Sequence, residues 1–131
     1  MKHIFSLLLT LLILSGCGSS APNNNYQQIS MKEAVSIMET EDSYILLDVR
    51  TKEEYLEKHI PGAVNLPNET IATEEIPELP AKDQLILVYC RSGNRSKQAA
   101  KKLAALGYTN INEFGGINDW TGDTVPGESK Q

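Results

Sequence analysis

Two continuous hydrophobic runs mark the middle of the chain. One covers Tyr44–Val49 and the other covers Leu85–Tyr89, and an arginine follows each within two residues. A run without polar alternation is typical of a strand covered on both faces, as in a parallel sheet. The pattern therefore predicts two central strands, each followed by charge at its carboxyl end.

Helical spacing of apolar residues separates these runs from other segments. It predicts helices over Ser30–Glu41, Thr51–Lys58 and Ser96–Leu106. The first two begin with Ser or Thr followed three residues later by Glu, the signature of a capping box. The third ends at Gly107, the residue type favoured just after a helix.

Shorter segments complete the predicted order of elements. Brief strands are expected at Tyr26–Ile29, Ala63–Leu66 and Asn110–Phe114, and an irregular segment over Glu69–Pro80. Gly115 and Gly116 are expected to open a turn or short helix that holds Asp119 and Trp120. Strands that alternate with helices indicate an α/β domain with a small, mostly parallel central sheet flanked by helices.

The first residues read as a targeting signal. A short basic start precedes the apolar run Ile4–Leu14, which is too short for a bilayer-spanning helix of roughly 20 residues. Leu14–Cys17 resembles the lipobox of bacterial lipoproteins, which implies removal of residues 1–16 and lipidation of Cys17, and so an extracytoplasmic protein held to a membrane. The alternative is an ordinary secretory signal with an incidental cysteine.

The remaining chain divides into three parts. Residues 17–27 would form the lipid-anchor cysteine and a polar tether, residues 28–122 the folded domain and residues 123–131 a polar tail. A length of 131 residues with 40% hydrophobic content suits one compact domain. If Cys17 carries lipid, Cys90 is the only free thiol, which excludes a disulfide framework.

Charge is distributed unevenly. The formal net charge of −5 argues against a nucleic-acid partner or a basic membrane-binding surface. Acids dominate between Gln28 and Tyr89, yet Cys90–Lys102 holds cations and no acid. Positive charge is thus concentrated immediately after the second central strand.

Cys90 lies at the point where that strand ends and a helix is about to begin. Ligands bind at this edge of a parallel sheet. A six-residue connection, Cys90–Arg95, with Gly93 to relieve the backbone, can curl its N–H groups inward around an anion. Those donors and the neighbouring Arg91 and Arg95 favour the thiolate. The alternative is a buried structural cysteine.

Three ordered motifs carry a family resemblance. The loop "CRSGNRS" (Cys90–Ser96), the segment "LLDVRTKEEYLEKHIPGAVNLP" (Leu46–Pro67) and "GYTNINEFGGINDW" (Gly107–Trp120) resemble those of the rhodanese, or thiosulfate sulfurtransferase, family. The resemblance implies a three-layer α/β domain without a cofactor or metal. It also implies that Cys90 takes the outer sulfur of thiosulfate or a similar anion and passes it, as a persulfide, to cyanide or a thiol.

The same resemblance assigns expected roles to other residues. The donor would be bound by loop residues: Arg91, Ser92, Gly93, Asn94, Arg95 and Ser96. Asp48 and Arg50, at the end of the neighbouring buried strand, would lie beside the loop. Asp48 would either support the loop by pairing with one of its arginines or simply solvate the end of its strand. His59, Tyr89 and Trp120 are expected to be structural.

Two other functions stay open from the sequence alone. Cysteine-dependent phosphatases, and arsenate reductases of similar chemistry, use a loop one residue longer, Cys-x5-Arg, whereas this chain has Cys90-x4-Arg95. A membrane-tethered binding or redox module would need no transfer chemistry at all. A monomer is the simplest expected state.

Overall fold

The computed structural model describes residues 25–72 and 75–128. The predicted signal, Cys17 and most of the predicted tether lie outside these residues. The described strands are β1 (Gln27–Gln28), β2 (Ile45–Asp48), β3 (Val64–Asn65), β4 (Ile86–Cys90) and β5 (Ile111–Gly116). The helices are α1 (Met31–Thr40), α2 (Lys52–Glu57) and α3 (Asn94–Ala105), with short 3-10 turns at Asn68–Thr70 and Ile117–Asp119.

The five strands form one sheet in the order β1-β5-β4-β2-β3, and every pairing is parallel. Side chains that alternate along β2 and β4 enter two separate hydrophobic clusters. Leu47 and Val88 pack with α3, whereas Leu46 and Leu87 pack with α1 and α2. Both faces of the sheet are therefore covered, and the predicted three-layer α/β domain is confirmed.

The helix N-termini follow the predicted capping residues. Ser30 accepts a hydrogen bond from the Glu33 N–H, and α1 begins at the next residue. Thr51 and Glu54 form the full reciprocal capping box of α2. Each cap satisfies backbone donors that would otherwise lack partners at the start of a helix.

Two boundaries near the predicted loop were wrong. Helix α3 begins at Asn94 rather than Ser96, because Gly93 takes the left-handed conformation (φ 112°) and turns the chain straight into the helix. The connection after Cys90 is therefore only residues 91–93. Gly115 and Gly116 extend β5, and the predicted short helix begins only after them, as the 3-10 turn Ile117–Asp119.

The segment beyond residue 122 packs against α2 and the turn that follows it. Val125 forms an isolated antiparallel bridge with His59, and the Gly127 N–H donates to the Leu56 carbonyl. Lys52 also pairs with Glu128 at the surface. Part of the predicted polar tail thus covers the end of α2.

Within residues 25–72 and 75–128, none of the helices combines the length and apolar character needed to cross a bilayer.

Candidate active site

Cys90 is the last residue of β4, at the carboxyl edge of the sheet. Its pairing partner on β5 is Gly116, and the ladder shifts register between Val88 and Cys90. The side chain is 1% exposed and packs within the cluster on the α3 face. The sulfur is thus held between the end of the sheet and the start of α3.

The connection after Cys90 curls around this sulfur. The Gly93 N–H donates to Cys90 Sγ at 3.0 Å, and Ser96 Oγ lies 3.4 Å from the same atom. A side chain at Gly116 would come within 2.0 Å of the Arg91 carbonyl oxygen, so β5 supports the loop at a distance that only glycine permits.

The surroundings of Cys90 favour its charged form. Burial raises the pKa of the thiol. Hydrogen bonds from the Ser96 side chain and from the N–H groups of Ser96, Gly93 and Ser92 lower this pKa by more than burial raises it. The net effect is a pKa below that of an ordinary cysteine. Of the expected main-chain donors, the Gly93 N–H lies within hydrogen-bond distance of the sulfur, and the connection before α3 is three residues long rather than six.

A buried acid that sequence reasoning missed completes this region. Glu113, on β5, is 3% exposed, and its Oε1 accepts hydrogen bonds from Ser96 Oγ at 2.7 Å and from the Gly115 N–H at 2.9 Å. The sequence signal that could have identified Glu113 was its position inside the predicted strand Asn110–Phe114. An acid in a strand covered on both faces requires a polar partner.

The two loop-region arginines differ in their partners. Arg95, in the first turn of α3, forms two hydrogen bonds with Glu54 of α2, at 2.6 and 3.0 Å. The Arg95 hydrogen bonds lower the pKa of Glu54 to about 2. Arg91 is exposed and forms no salt bridge with any residue in the described part of the chain.

The expected pairing of Asp48 with a loop arginine is wrong. Asp48 pairs instead with Arg50, two residues along, through Oδ2 and Nη2 at 2.6 Å. Both side chains are buried, and the Tyr89 hydroxyl donates to Asp48 Oδ2 at 2.6 Å. The compact turn after β2 lets Arg50 reach back to its own strand end, which leaves no free Asp48 oxygen for the loop.

Burial has opposite consequences for the pKa of Arg50 and that of Tyr89 in this cluster. Burial alone lowers the pKa of Arg50, but the Asp48 carboxylate raises it above the ordinary value. Burial raises the pKa of the Tyr89 phenol, and the neighbouring Asp48 raises it further. Tyr89 is therefore a neutral hydrogen-bond donor as well as a core residue. Its hydroxyl oxygen also accepts a hydrogen bond from the Ile60 N–H at 3.1 Å.

The remaining predicted residues occupy structural or surface positions. His59 is 1% exposed, stacks on the Tyr55 ring at 3.8 Å and places Nδ1 2.9 Å from the Tyr55 carbonyl oxygen. Trp120 is half-buried against the α1 face, and its Nε1–H donates to the Asp123 carbonyl. Ser92 and Asn94 are exposed.

Two clefts adjoin the loop. One, of about 210 Å³, is polar and contains Arg91 beside the acids of α2; its lining residues are Arg50, Glu54, Glu57, Lys58, Arg91, Ile117 and Asn118. The other, of about 300 Å³, lies on the β5 side and is lined by Ser92, Gly93, Lys97, Glu113 and Asp119 among others. In the described ranges, no group of three or more His, Cys, Asp or Glu residues is arranged to hold a metal ion.

Comparison with known proteins agrees with this geometry. The Rhodanese-like domain model matches residues 30–123. The chain is 36% identical over 73 residues to the thiosulfate sulfurtransferase PspE of Escherichia coli, covering 56% of this chain and 70% of that protein. A solved structure of a rhodanese with anions from E. coli superposes with a TM-score of 0.59 at 35% identity, covering 65% of this chain and 100% of that one.

Other relatives are much longer. The chain is 34% identical over 116 residues to the adenylyltransferase and sulfurtransferase UBA4 of Candida albicans, covering 82% of this chain but only 26% of that protein. The chain thus spans about a quarter of that relative's length. Homologues named as sulfurtransferases support sulfur transfer in general as the chemistry of this fold. The chain belongs to the Rhodanese-like domain family.

Proposed function

We propose that the protein transfers a sulfane sulfur, taken from thiosulfate or a similar small anion, through a persulfide on Cys90. In the first step the Cys90 thiolate attacks the outer sulfur of thiosulfate, the S–S bond of the donor breaks, and sulfite leaves with the electron pair. In the second step a thiol or cyanide attacks the terminal sulfur and Cys90 leaves as a thiolate. No cofactor enters either step.

The observation that carries this proposal is the hydrogen-bonded cradle around Cys90 Sγ. A carrier cysteine must be ionised to attack, and it must also be a good leaving group, and a lowered pKa serves both needs. The Gly93 N–H, 3.0 Å from the sulfur, is fixed by the turn into α3. The persulfide is also an anion, so the same donors would stabilise the intermediate.

The distribution of charge favours Arg91 as the residue that meets the donor. Arg95 is already engaged by both oxygens of Glu54, whereas Arg91 is exposed in the polar cleft beside the loop. A guanidinium without a salt bridge can offer two parallel donors to sulfonate oxygens. We assign Arg95 to fixing the first turn of α3, and Arg91 to recruiting the anion.

The experiment is mass spectrometry of the purified protein after thiosulfate treatment. The expected result is a gain of one sulfur atom on Cys90 that disappears when cyanide is added. Cys90→Ser should show no gain, while Glu53→Gln, which changes an exposed acid of α2 that lines neither cleft, should gain sulfur normally. Absence of the adduct on the wild type would favour a binding or redox module, and turnover of an aryl phosphate faster than sulfur transfer would favour a phosphatase.

We also propose that the protein acts as a monomer outside the cytoplasm, anchored to a bacterial membrane by lipid on Cys17. The support is the sequence before and at that residue: a short basic start, an apolar run too short to span a bilayer as a helix, and Leu-Ser-Gly-Cys. Stable attachment requires more than one acyl chain on the terminus.

A further inference from the structure

Glu113 is a buried carboxyl group for which the sulfur-transfer steps above provide no role. It is 3% exposed and forms no salt bridge with Lys or Arg in residues 25–72 or 75–128. Its Oε1 is joined to Cys90 Sγ through a single intervening atom, Ser96 Oγ. Ser96 itself is completely buried, so no bulk water reaches this link.

The number of available protons connects the two ends of this link. A serine hydroxyl has one hydrogen, yet Ser96 Oγ lies 3.4 Å from Cys90 Sγ, 2.7 Å from Glu113 Oε1, 2.9 Å from the Gly93 carbonyl oxygen and 3.3 Å from the Gly115 carbonyl oxygen. The 2.7 Å separation between two oxygens is that of an O–H···O hydrogen bond, which requires a proton between them. If Ser96 donates to Glu113, the contact with sulfur is a hydrogen bond only when Cys90 carries its own proton.

The thiolate reverses this arrangement. Once the sulfur has lost its proton, Ser96 must turn its hydrogen toward Sγ to make a hydrogen bond there. Ser96 Oγ then faces Glu113 Oε1 with a lone pair, and the 2.7 Å contact is favourable only if Glu113 supplies the hydrogen. In the arrangement in which Ser96 donates to the thiolate rather than to the Gly93 or Gly115 carbonyl oxygen, the contact with Glu113 thus requires a protonated acid.

We propose that Glu113 holds the proton that Cys90 gives up, received through Ser96. The Sγ–H bond breaks as an O–H bond forms at Ser96 Oγ, and the original Ser96 O–H bond breaks as an O–H bond forms at Glu113 Oε1. The net charge of the buried site is unchanged. Because Glu113 acts through Ser96, it is a positioning residue and not a catalytic one.

The position of Glu113 also provides an exit for the proton. Its side chain lines the cleft of about 300 Å³ on the β5 side, whereas Ser96 does not. The other charged residues of that cleft are Lys97 of α3 and Asp119 of the last 3-10 turn. Outside that cleft, Arg91 lies in the polar cleft beside α2, and Arg95 of the first turn of α3 is paired with Glu54. This inference rests on the proposed function, because it concerns how the nucleophile is generated.

The test is infrared spectroscopy of the purified protein at neutral pH, with the thiolate absorbance of Cys90 recorded on the same sample. Exposed carboxyl groups are ionised at this pH, so the carbonyl stretch of a protonated acid identifies an exceptional residue. The wild type should show both the thiolate absorbance and this carbonyl band. Cys90→Ser and Glu113→Gln should each lose the band, and Asp119→Asn, which neutralises an exposed acid at the same cleft, should keep it.

Each departure from this pattern overturns the proposal. A wild type with the thiolate but without the band would show that Glu113 is ionised beside it. A band that survives in Cys90→Ser would show that the proton does not come from the thiol, and a band lost in Asp119→Asn would assign it elsewhere. The comparison of wild type with Cys90→Ser stands even if Glu113→Gln does not fold. Absence of the thiolate itself would contradict this inference, whereas a thiolate that forms no adduct with thiosulfate would contradict only the proposed function.

Discussion

The carboxylate of Glu54 and the guanidinium of Arg95 face each other through two hydrogen bonds, at 2.6 and 3.0 Å, across 41 positions of sequence. Glu54 is also half of the capping box that begins α2. One side chain thus links the start of α2 to the first turn of α3, which carries the donors around Cys90. The position of this turn depends on a contact made outside the loop.

Glu54→Gln should make the free energy of unfolding less dependent on pH at acidic pH. Glu54 has a pKa of about 2 in the folded protein and an ordinary value of 4.5. A depressed folded pKa contributes stability above the unfolded value, and that contribution is lost as pH falls from 4.5 toward 2. Since the pair is partly exposed, we expect a loss of about 1 kcal/mol at neutral pH in urea unfolding.

Glu53→Gln is the matched control for this change. Glu53 is an exposed acid in the same first turn of α2, and it forms no ion pair with any residue of 25–72 or 75–128. Its substitution should leave the pH dependence at acidic pH and the effect of salt unchanged, whereas added salt should weaken the wild-type pair. Equal effects of the two substitutions would assign the loss to the helix terminus rather than to Arg95.

Tyr89→Phe should destabilise the fold without removing core volume. The substitution takes away the donor to Asp48 Oδ2 and the acceptor for the Ile60 N–H, both buried. Leaving such groups unpaired costs about 1–3 kcal/mol, measured by urea unfolding. Tyr44→Phe is the control, because the Tyr44 hydroxyl forms no hydrogen bond with another described residue. It should change stability far less. If Tyr89→Phe leaves the free energy of unfolding unchanged, the hydrogen bonds from Arg50 alone are sufficient for the Asp48 carboxylate.

Ser96→Ala should make Cys90 a weaker nucleophile at low pH. The Ser96 hydroxyl is among the groups that lower the pKa of the Cys90 thiol, so its loss raises that pKa. Because only the thiolate reacts, the alkylation rate with iodoacetamide should rise at higher pH than in the wild type. At a pH below the wild-type midpoint we expect a fall of about tenfold, the equivalent of one hydrogen bond to a charged group. Ser92→Ala, which keeps its N–H, should follow the wild-type profile.

Gly116→Ala should displace the loop that surrounds Cys90. The added Cβ would lie 2.0 Å from the Arg91 carbonyl oxygen, which is a backbone atom and not the movable end of a flexible side chain. We expect a stability loss of about 1–3 kcal/mol together with slower alkylation of Cys90. Gly107→Ala is the control: it strains a left-handed position (φ 96°) with open space around it, so it should lower stability while sparing the cysteine. Unchanged alkylation in Gly116→Ala would contradict the support role of β5.

Cys17→Ser tests the proposed lipid anchor. Without the sulfur no lipid can be attached, so the protein should move from the membrane fraction to the soluble fraction on cell fractionation. Cys90→Ser should remain in the membrane fraction, since it changes a different thiol. An unchanged distribution of Cys17→Ser would contradict lipidation at this residue.

The sequence was sufficient for the layers of the fold and for the position of Cys90 at the edge of the sheet. Uninterrupted apolar runs identify β2 and β4 because both faces of a parallel sheet are covered, and local capping residues fix the starts of α1 and α2. Cys90 could be placed at the sheet edge because it follows such a run directly. These signals are all encoded within a few neighbouring residues.

The partners of the charged groups could not be predicted in the same way. Glu54 meets Arg95 and Glu113 meets Ser96 only because the parallel crossovers bring remote segments to one edge of the sheet. The start of α3 was missed because Asn94 and Arg95 carry no apolar periodicity, and the left-handed Gly93 decides where the helix begins. Asp48 was assigned the wrong arginine for the opposite reason, since its true partner lies only two residues away.

The strand order β1-β5-β4-β2-β3 places the first strand beside the last. The backbone of Gln27–Gln28 has a hydrogen-bonding partner only once Ile111–Gly116 has formed, and that strand also supports the arc of backbone around the thiol. Pairing of β1 and support of the loop around Cys90 therefore depend on the same strand, so a substitution that displaces β5 should disturb both the edge of the sheet and the surroundings of the thiol.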